Sequence, residues 1–319
     1  MTTDHGLDTL IGDLQSSRFE RRAKALNALG AMVSARTAPA ALAPRLTPLA
    51  GHADPGIRAA ALSLLGALDG LEVLPLLEAH AGDPEPEVRA VVEDAAEELG
   101  EAGRPLLKKL VKDSDFGVRF WAAAALSTQH EPEGFPVLVE GLAPSATRFE
   151  ALQGLRRLGD RRAEEPVRKV LGKWFLAAID RVAAAGVLAS FGDEPSKALL
   201  LKELQRRGDV RGLAMEIAGE LGLAEAVPVL EAVFKDKSDD YRGSAAMGLA
   251  SMKQERFFVD FVALLRDESA TADVRGDAAW ALRLLDTSAS RQALQEAEGS
   301  VRVAEVADAI REALAESAH

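Results

Sequence analysis

Residues 54–68 read DPGIRAAALSLLGAL, and the spacing within them decides the fold. An acid and a proline open the stretch, Arg58 follows, and Ala61, Leu62 and Leu65 stand three, four and seven places beyond it. That spacing is the apolar stripe of an amphipathic helix. Asp54 is placed to cap the free amides of a first turn, and Pro55, with no amide of its own to satisfy, suits the first helical position. Asp83-Pro84 is a second start signal of the same kind.

The element recurs. Arg119 is followed by Ala122, Ala123 and Leu126, Arg242 by Ala245, Ala246 and Leu249, and Arg275 by Ala278, Ala279 and Leu282. The register runs through Arg22, Arg58, Arg89, Arg119, Arg148, Arg181, Arg211, Arg242, Arg275 and Arg302, at intervals of 27 to 36 residues. A second helical segment precedes the arginine in each period, most clearly at 71–80, 102–112, 224–234 and 256–266. No stretch shows sustained strand alternation. The pattern predicts an all-α fold, an α-solenoid of about ten helical hairpins forming one curved superhelix. A hairpin of this size cannot bury its apolar face alone, so neighbours must share a core. The expected repeats lie near 7–36, 39–69, 71–100, 102–129, 132–159, 161–192, 195–222, 224–253, 255–286 and 288–316, in a single domain over 1–319 without a dividing linker. Hydrophobic residues are 48% of the chain and aromatics 5%, so this core must be built from Ala, Leu and Val.

Residues 54–68, DSDFGVRFWAAAAL (113–126) and ADVRGDAAWALRLL (272–285) resemble the HEAT-like repeats of the bilin lyases. The shared pattern is an acid, a turn, Val-Arg, then Ala-Ala and Leu. The resemblance covers nearly the whole chain and implies the fold. For function it implies a range, because such repeats serve lyases, hydroxylases, DNA glycosylases and plain adaptors.

Composition narrows that range. A net charge of −12 opposes sequence-independent nucleic-acid binding, which depends on neutralising phosphates. The absence of cysteine removes disulfides, thiolate metal sites and cysteine nucleophiles together. The first residues, MTTDHGLDTLIGDL, carry three acids and no apolar run, and uncharged stretches reach only 11 residues, so neither a signal peptide nor membrane insertion is expected. A cytoplasmic protein is the expectation. The histidines (His5, His52, His80, His130, His319) form no pair at helical ligand spacing, and His130-Glu131 is the only His-Glu dipeptide. The HEAT-like deoxyhypusine hydroxylases need several such pairs for their irons, so no metal or cofactor site and no catalytic residue is assigned. Resemblance to the HEAT-like alkylpurine DNA glycosylases would draw on Trp121, Trp280 and Asp277, but no basic residues line the helix face that carries them. A lyase-like module handling a pigment or small molecule is the remaining alternative.

Two features remain to be placed. The arginines Arg58, Arg89, Arg119, Arg211, Arg242 and Arg275 sit in the first turn of their helices, where the helix dipole repels a cation. Each therefore needs a carboxylate, within its repeat or across to the neighbour, and acids such as Asp54, Asp83, Asp115, Asp209, Asp240 and Asp273 stand just before them. We read these arginines as a structural ladder. The positions two, five and six beyond each arginine should be polar on a surface helix, yet across repeats 2–4 and 6–9 only Asp94, Glu216 and Asp277 are charged. Either the second helices pack tightly through small residues, or they line a groove in which Trp121, Met247, Trp280, Leu213 and Ile217 hold a helical or basic segment of another protein. The expected function is a non-enzymatic scaffold. Charge is also uneven: 69–101 has eleven acids and one base, whereas 102–173 has thirteen bases and nine acids. Repeats 5 and 6 are irregular, with 143–147 lacking the usual acid and Trp174-Phe175 inserted between two helices.

Overall fold

The structure, a computed structural model, describes residues 4–315; residue 316 of the expected tenth repeat and His319 lie outside them. Among the described residues there are twenty α-helices and no strand. None of these helices is long and apolar enough to cross a membrane. The chain forms two compact units, Met1–Ala143 and Pro144–His319. The division falls inside the 143–147 turn that lacks an acid; the sequence alone suggested no boundary there.

Unit 1 contains α1 (Asp4–Leu14), α2 (Phe19–Ser34), α3 (Leu42–Leu46), α4 (Pro55–Asp69), α5 (Leu74–His80), α6 (Pro86–Glu98), α7 (Arg104–Leu110), α8 (Phe116–Thr128) and α9 (Phe135–Gly141). Unit 2 contains α10 (Ser145–Leu158), α11 (Glu164–Leu171), α12 (Ala178–Ser190), α13 (Glu194–Gln205), α14 (Arg211–Glu220), α15 (Val227–Lys235), α16 (Arg242–Ser251), α17 (Phe258–Arg266), α18 (Ala272–Leu285), α19 (Ser288–Glu298) and α20 (Ala304–Ala315). Within each unit the helices alternate between the first helix of a repeat, A, and the second, B, which from α2 to α18 bears the register arginine.

Local chemistry sets the helix ends. Asp54 accepts from the Gly56 and Ile57 amides, Asp115 from Val118 and Asp193 from Ser196, each capping a helix start. Several A helices enter through a 3-10 turn with proline next, at Pro75, Pro105, Pro136 and Pro228. Asp83-Pro84 behaves differently from the expectation. Helix α6 begins at Pro86, and Asp83 instead accepts from the Glu85 amide, folding the turn before it.

The stripe residues form the core: Ala122, Ala123, Leu126, Ala245, Ala246, Leu249, Ala278, Ala279 and Leu282 are fully buried. The A helices add Leu77, Leu107, Leu138, Val167, Leu200, Leu230 and Phe261. B helices also pack on one another. In unit 1 these contacts run α2–α4–α6–α8, and in unit 2 they run α10–α12–α14–α16–α18–α20. Glycine makes the tightest approach possible. A Cβ on Gly219 of α14 would collide with the Gly248 backbone of α16, and one on Gly248 would lie 2.9 Å from the Met215 carbonyl oxygen.

The arginines bind in two directions. Toward their own repeat they donate to carbonyls at the end of helix A or in the turn after it. Arg58 reaches His52 and Ala53, Arg89 reaches Asp83 and Pro84, and Arg119 reaches Ser114. In unit 2, Nε of Arg211, Arg242 and Arg275 donates to the carbonyls of Leu204, Phe234 and Leu265. These are the negative ends of A helices, where a cation is stabilised. Toward the next repeat they take a carboxylate. Arg58 forks onto Asp83 at 2.8 and 2.6 Å, and Arg89 onto Asp113 at 2.6 and 2.7 Å. Arg22 reaches Asp54, Arg148 reaches Asp180 and Arg211 reaches Asp239. Arg119, facing a repeat without the turn acid, takes Glu140 of α9. The carboxylate that serves each of these arginines thus lies one repeat ahead, and Asp115 is occupied as a cap.

One core position is occupied by an acid. Glu93 stands four residues past Arg89, where other repeats have Ala123, Ala246 or Ala279, and it is 2% exposed with Oε1 unbonded. Burial, with the charges of Asp94 and Glu97, pushes its carboxyl up to about 8. The folded protein therefore holds a proton there that the unfolded chain, titrating near 4.5, releases. Stability from this group is complete below pH 4.5 and falls as pH rises toward 8, by about 1.4 kcal/mol per pH unit at most. Glu93→Gln should accordingly melt above the parent at pH 8, with the gap closing toward pH 4; a gap that ignores pH in thermal melts would refute this assignment. Removing Arg89 leaves the buried Asp113 carboxylate unmatched, so Arg89→Ala should cost about 3–5 kcal/mol. Exposed Arg207→Ala should stay within about 0.5 kcal/mol. Chemical denaturation of both variants checks the comparison.

Candidate protein-binding face

The residues expected to form one groove are divided between the units. Asp94 on α6 and Trp121 on α8 belong to unit 1; Leu213, Glu216 and Ile217 on α14, Met247 on α16, and Asp277 and Trp280 on α18 belong to unit 2.

In unit 1, Trp121 is half-exposed and stands edge-on to Phe120, with ring centroids 5.3 Å apart. Asp94 is exposed, and partial desolvation raises its carboxyl above the ordinary range. In unit 2, Leu213 and Trp280 are half-buried and pack against the core, and Met247 is half-buried. Ile217 must be corrected. It is fully buried, and a Cβ on Gly186 of α12 would lie 3.0 Å from its Cγ2, so Ile217 joins α14 to α12 and presents nothing to a ligand. Its position six past Arg211 points between B helices because those helices touch one another.

The polar members of the unit 2 face form a connected line. Arg156 of α10 extends past Gly186, whose Cβ, if present, would be 3.5 Å from Arg156 Cδ, and pairs with Glu220 of α14. Glycine on the intervening helix leaves the room for that reach. Glu216, one turn before Glu220, is raised by burial, against the hydrogen bond from Ser244 of α16 and the charge of Arg156. Asp277 of α18 is pushed up to about 6 by burial and by the charges of Glu216 and Asp273. A Cβ on Gly243 would collide with this carboxylate, so it lies directly over α16. Burial also lowers Arg156, together with the charge of Arg157, and its Nε has no hydrogen-bond partner. Gln153 Oε1, one turn earlier on α10, is likewise buried without one.

From sequence, Arg156 is only one of the bases of the 102–173 stretch, and Gln153 and Glu220 carry no signal in the positions two, five and six past each arginine. Repeat 5 lacks the acidic turn that marks the register, and Arg156 and Glu220 lie eight and nine places past their arginines, a turn beyond the positions inspected. Extending the same angular reading by one turn would have found them. The chemistry of the line is acidic and half-dry: carboxylates poised to gain from a cation, flanked by Trp280, Met247 and Leu213. Among the described residues, no three His, Cys, Asp or Glu side chains group as a metal site. His80 contacts the Leu76 and Ala50 carbonyls, and His52 accepts from the Asp54 amide, so both are committed to the backbone.

A family profile described as HEAT repeats matches residues 7–97 and 83–156. A sequence comparison with curated proteins gave no match. Similar solved structures include human deoxyhypusine hydroxylase in complex with glycerol, 18% identical over 78% of this chain and 97% of that one, with a TM-score of 0.36. A mutant of Kap121p is 12% identical over 97% of this chain and 41% of that one, with a TM-score of 0.49. The complex of CpcE and CpcF of phycocyanin lyase from Nostoc sp. is 20% identical over 88% of this chain and 93% of that one, with a TM-score of 0.35.

The two tryptophans should separate on truncation. Trp280→Ala removes a ring seated on the core and should cost about 2 kcal/mol or more. Trp121→Ala, half in solvent, should cost less than about 1 kcal/mol. Equal losses in denaturant titrations would contradict the different seating of the two rings.

Proposed function

We propose that this chain, with HEAT repeats over residues 7–97 and 83–156, is a non-enzymatic cytoplasmic scaffold that binds another protein along the B-helix face of unit 2. The observation that carries the reading is Asp277. Its charged neighbours are acids, burial lifts it to about 6, and it lies among the half-buried Trp280, Met247 and Glu216. An isolated carboxylate of this kind is relieved by a Lys or Arg from outside, while the aromatic and thioether groups beside it accept an apolar flank. The partner is therefore a basic amphipathic segment. Nucleic acid is disfavoured because the line that it would approach is acidic. The ladder arginines have structural roles in this reading, since Arg58, Arg89, Arg119 and Arg211 are engaged by carbonyls and by carboxylates of the following repeat, and Arg242 and Arg275 by carbonyls at the ends of A helices.

A fluorescent Lys-rich amphipathic helical peptide and a DNA duplex serve as probes in anisotropy titrations. The peptide should bind, and Glu216→Gln with Asp277→Asn should weaken it about tenfold, the effect expected of a charge contact worth about 1.4 kcal/mol. Binding should strengthen as pH rises through about 6, where Asp277 ionises, and weaken with salt. Tight duplex binding that falls steeply with salt, with the peptide ignored, would overturn the proposal.

A further inference from the structure

Arg58, Arg89 and Arg211 each give the forward side of the guanidinium to an aspartate of the next repeat. Arg275 does not. It stands in the first turn of α18 and is 5% exposed, less than Arg89 or Arg211 at 8%. Its Nε donates to the Leu265 carbonyl. Among the described residues nothing accepts from its two terminal nitrogens, and neither is sealed from solvent. The repeat ahead enters α20 through residues 299–303, Gly-Ser-Val-Arg-Val, which hold no acid and instead carry Arg302. On α19, Glu296 takes Arg266, and Glu298 is exposed. Arg275 lines a concavity of about 550 Å³ together with Arg302 and Ser300. Its charged lining is Arg266, Arg275 and Arg302 against one acid, the exposed Glu268, and among the described residues no ion pair joins Glu268 to any of the three.

We propose that this concavity binds a carboxylate from outside the chain, held by the open edge of Arg275 and by Arg302. A buried cation without a counter-charge weighs against the folded state, and a bound anion relieves it. The arginine fork matches the two oxygens of a carboxylate, and at other junctions the same side of the guanidinium takes Asp83, Asp113 or Asp239. A carboxylate therefore completes at Arg275 the bond that the tenth repeat does not supply. The volume exceeds what one such group fills, and Arg302 offers a second guanidinium beside the first. The ligand class is a small dicarboxylate, or a peptide segment with two adjacent acidic side chains. The site shares no residue with the acidic line of Glu216 and Asp277, so it stands or fails apart from that reading.

Thermal melts and anisotropy titrations of the full chain test the site, with succinate, inorganic phosphate, a fluorescent Asp-Asp peptide and its Asn-Asn counterpart as probes. Succinate and the Asp-Asp peptide should raise the melting temperature as their concentration rises, because they bind the folded chain. The Asn-Asn peptide should bind at least tenfold more weakly than Asp-Asp. Both carboxylate probes support the site, and their ranking identifies the source: succinate at least as tight as the peptide marks a small dicarboxylate, a tighter peptide an acidic segment. Arg302→Ala, in an exposed turn, should melt like the parent without probe and weaken both at least tenfold. Arg275→Lys keeps the charge, loses the fork and should weaken them as much. Ser300→Asp places an acid in the turn, so it should raise the melting temperature and abolish binding. A parent that neither carboxylate probe stabilises, binding that survives Arg302→Ala and Ser300→Asp, or phosphate bound more tightly than succinate overturns the proposal.

Discussion

The structure depends on a guanidinium held between two negative partners. Helix A and the turn that follows it leave carbonyls without backbone donors, and the register arginine at the start of helix B supplies them. The remaining side of the same group is planar and charged, and it takes a carboxylate from the repeat that follows. One residue therefore completes its own hairpin and fixes the next hairpin on it. The cost of partly burying the cation is offset because both sides are bonded, and Asp113 is correspondingly held below the usual carboxylate range by the Arg89 fork. The acid side is equally economical: Asp83 and Asp239 also accept backbone amides of their own turns, so each folds a turn and receives an arginine.

Close contact between B helices follows from small residues, and the candidate face follows from that contact. Gly219 against Gly248 brings α14 and α16 to backbone distance, and Gly186 lets Arg156 pass to Glu220. Long polar side chains on these helices are pressed against neighbouring backbones. Glu216 and Asp277 are raised for that reason, not because a deep cavity surrounds them. Under the proposed function, packing and recognition are two results of one geometry, and the alternatives of tight packing or a receptive face describe different residues of the same surface. Ile217 is packing, and Asp277 is the residue to which the proposal gives recognition.

Much of the fold was legible because its determinants are local and repeated. The Arg-to-Leu spacing identifies the buried stripe, and Ala245, Ala246 and Leu249 lie where that spacing puts them. The direction of the ladder was not legible. Acids occur on both sides of each arginine in sequence, and only the packing of one hairpin on another shows that Arg89 reaches Asp113 while Asp115 caps α8. Glu93 was hidden for a related reason, since an acid at a stripe position looks like a surface residue until the neighbouring helices close over it. The face was partly legible: Glu216, Asp277 and Trp280 stand out as exceptions in a small-residue pattern. Ile217 and Arg156 depend on how closely B helices approach, a distance that periodicity does not encode.

The forward reach of the arginine gives the chain a rule of exchange. Where Arg22, Arg58, Arg89, Arg148 and Arg211 donate ahead to an acid of the following repeat, copying or deleting a whole repeat leaves both halves of the bond at the new junction. Array length can change by duplication without invention of a new interface, whereas a single substitution at a junction damages two repeats at once. The repeat that begins with α9 breaks the rule, because its acceptor is Glu140 on the helix and its 143–147 turn carries no acid. A copy spliced there would meet a longer acid on a helix in place of a turn aspartate, so that junction would accept a duplicated repeat less readily than the Arg58–Asp83 and Arg89–Asp113 junctions.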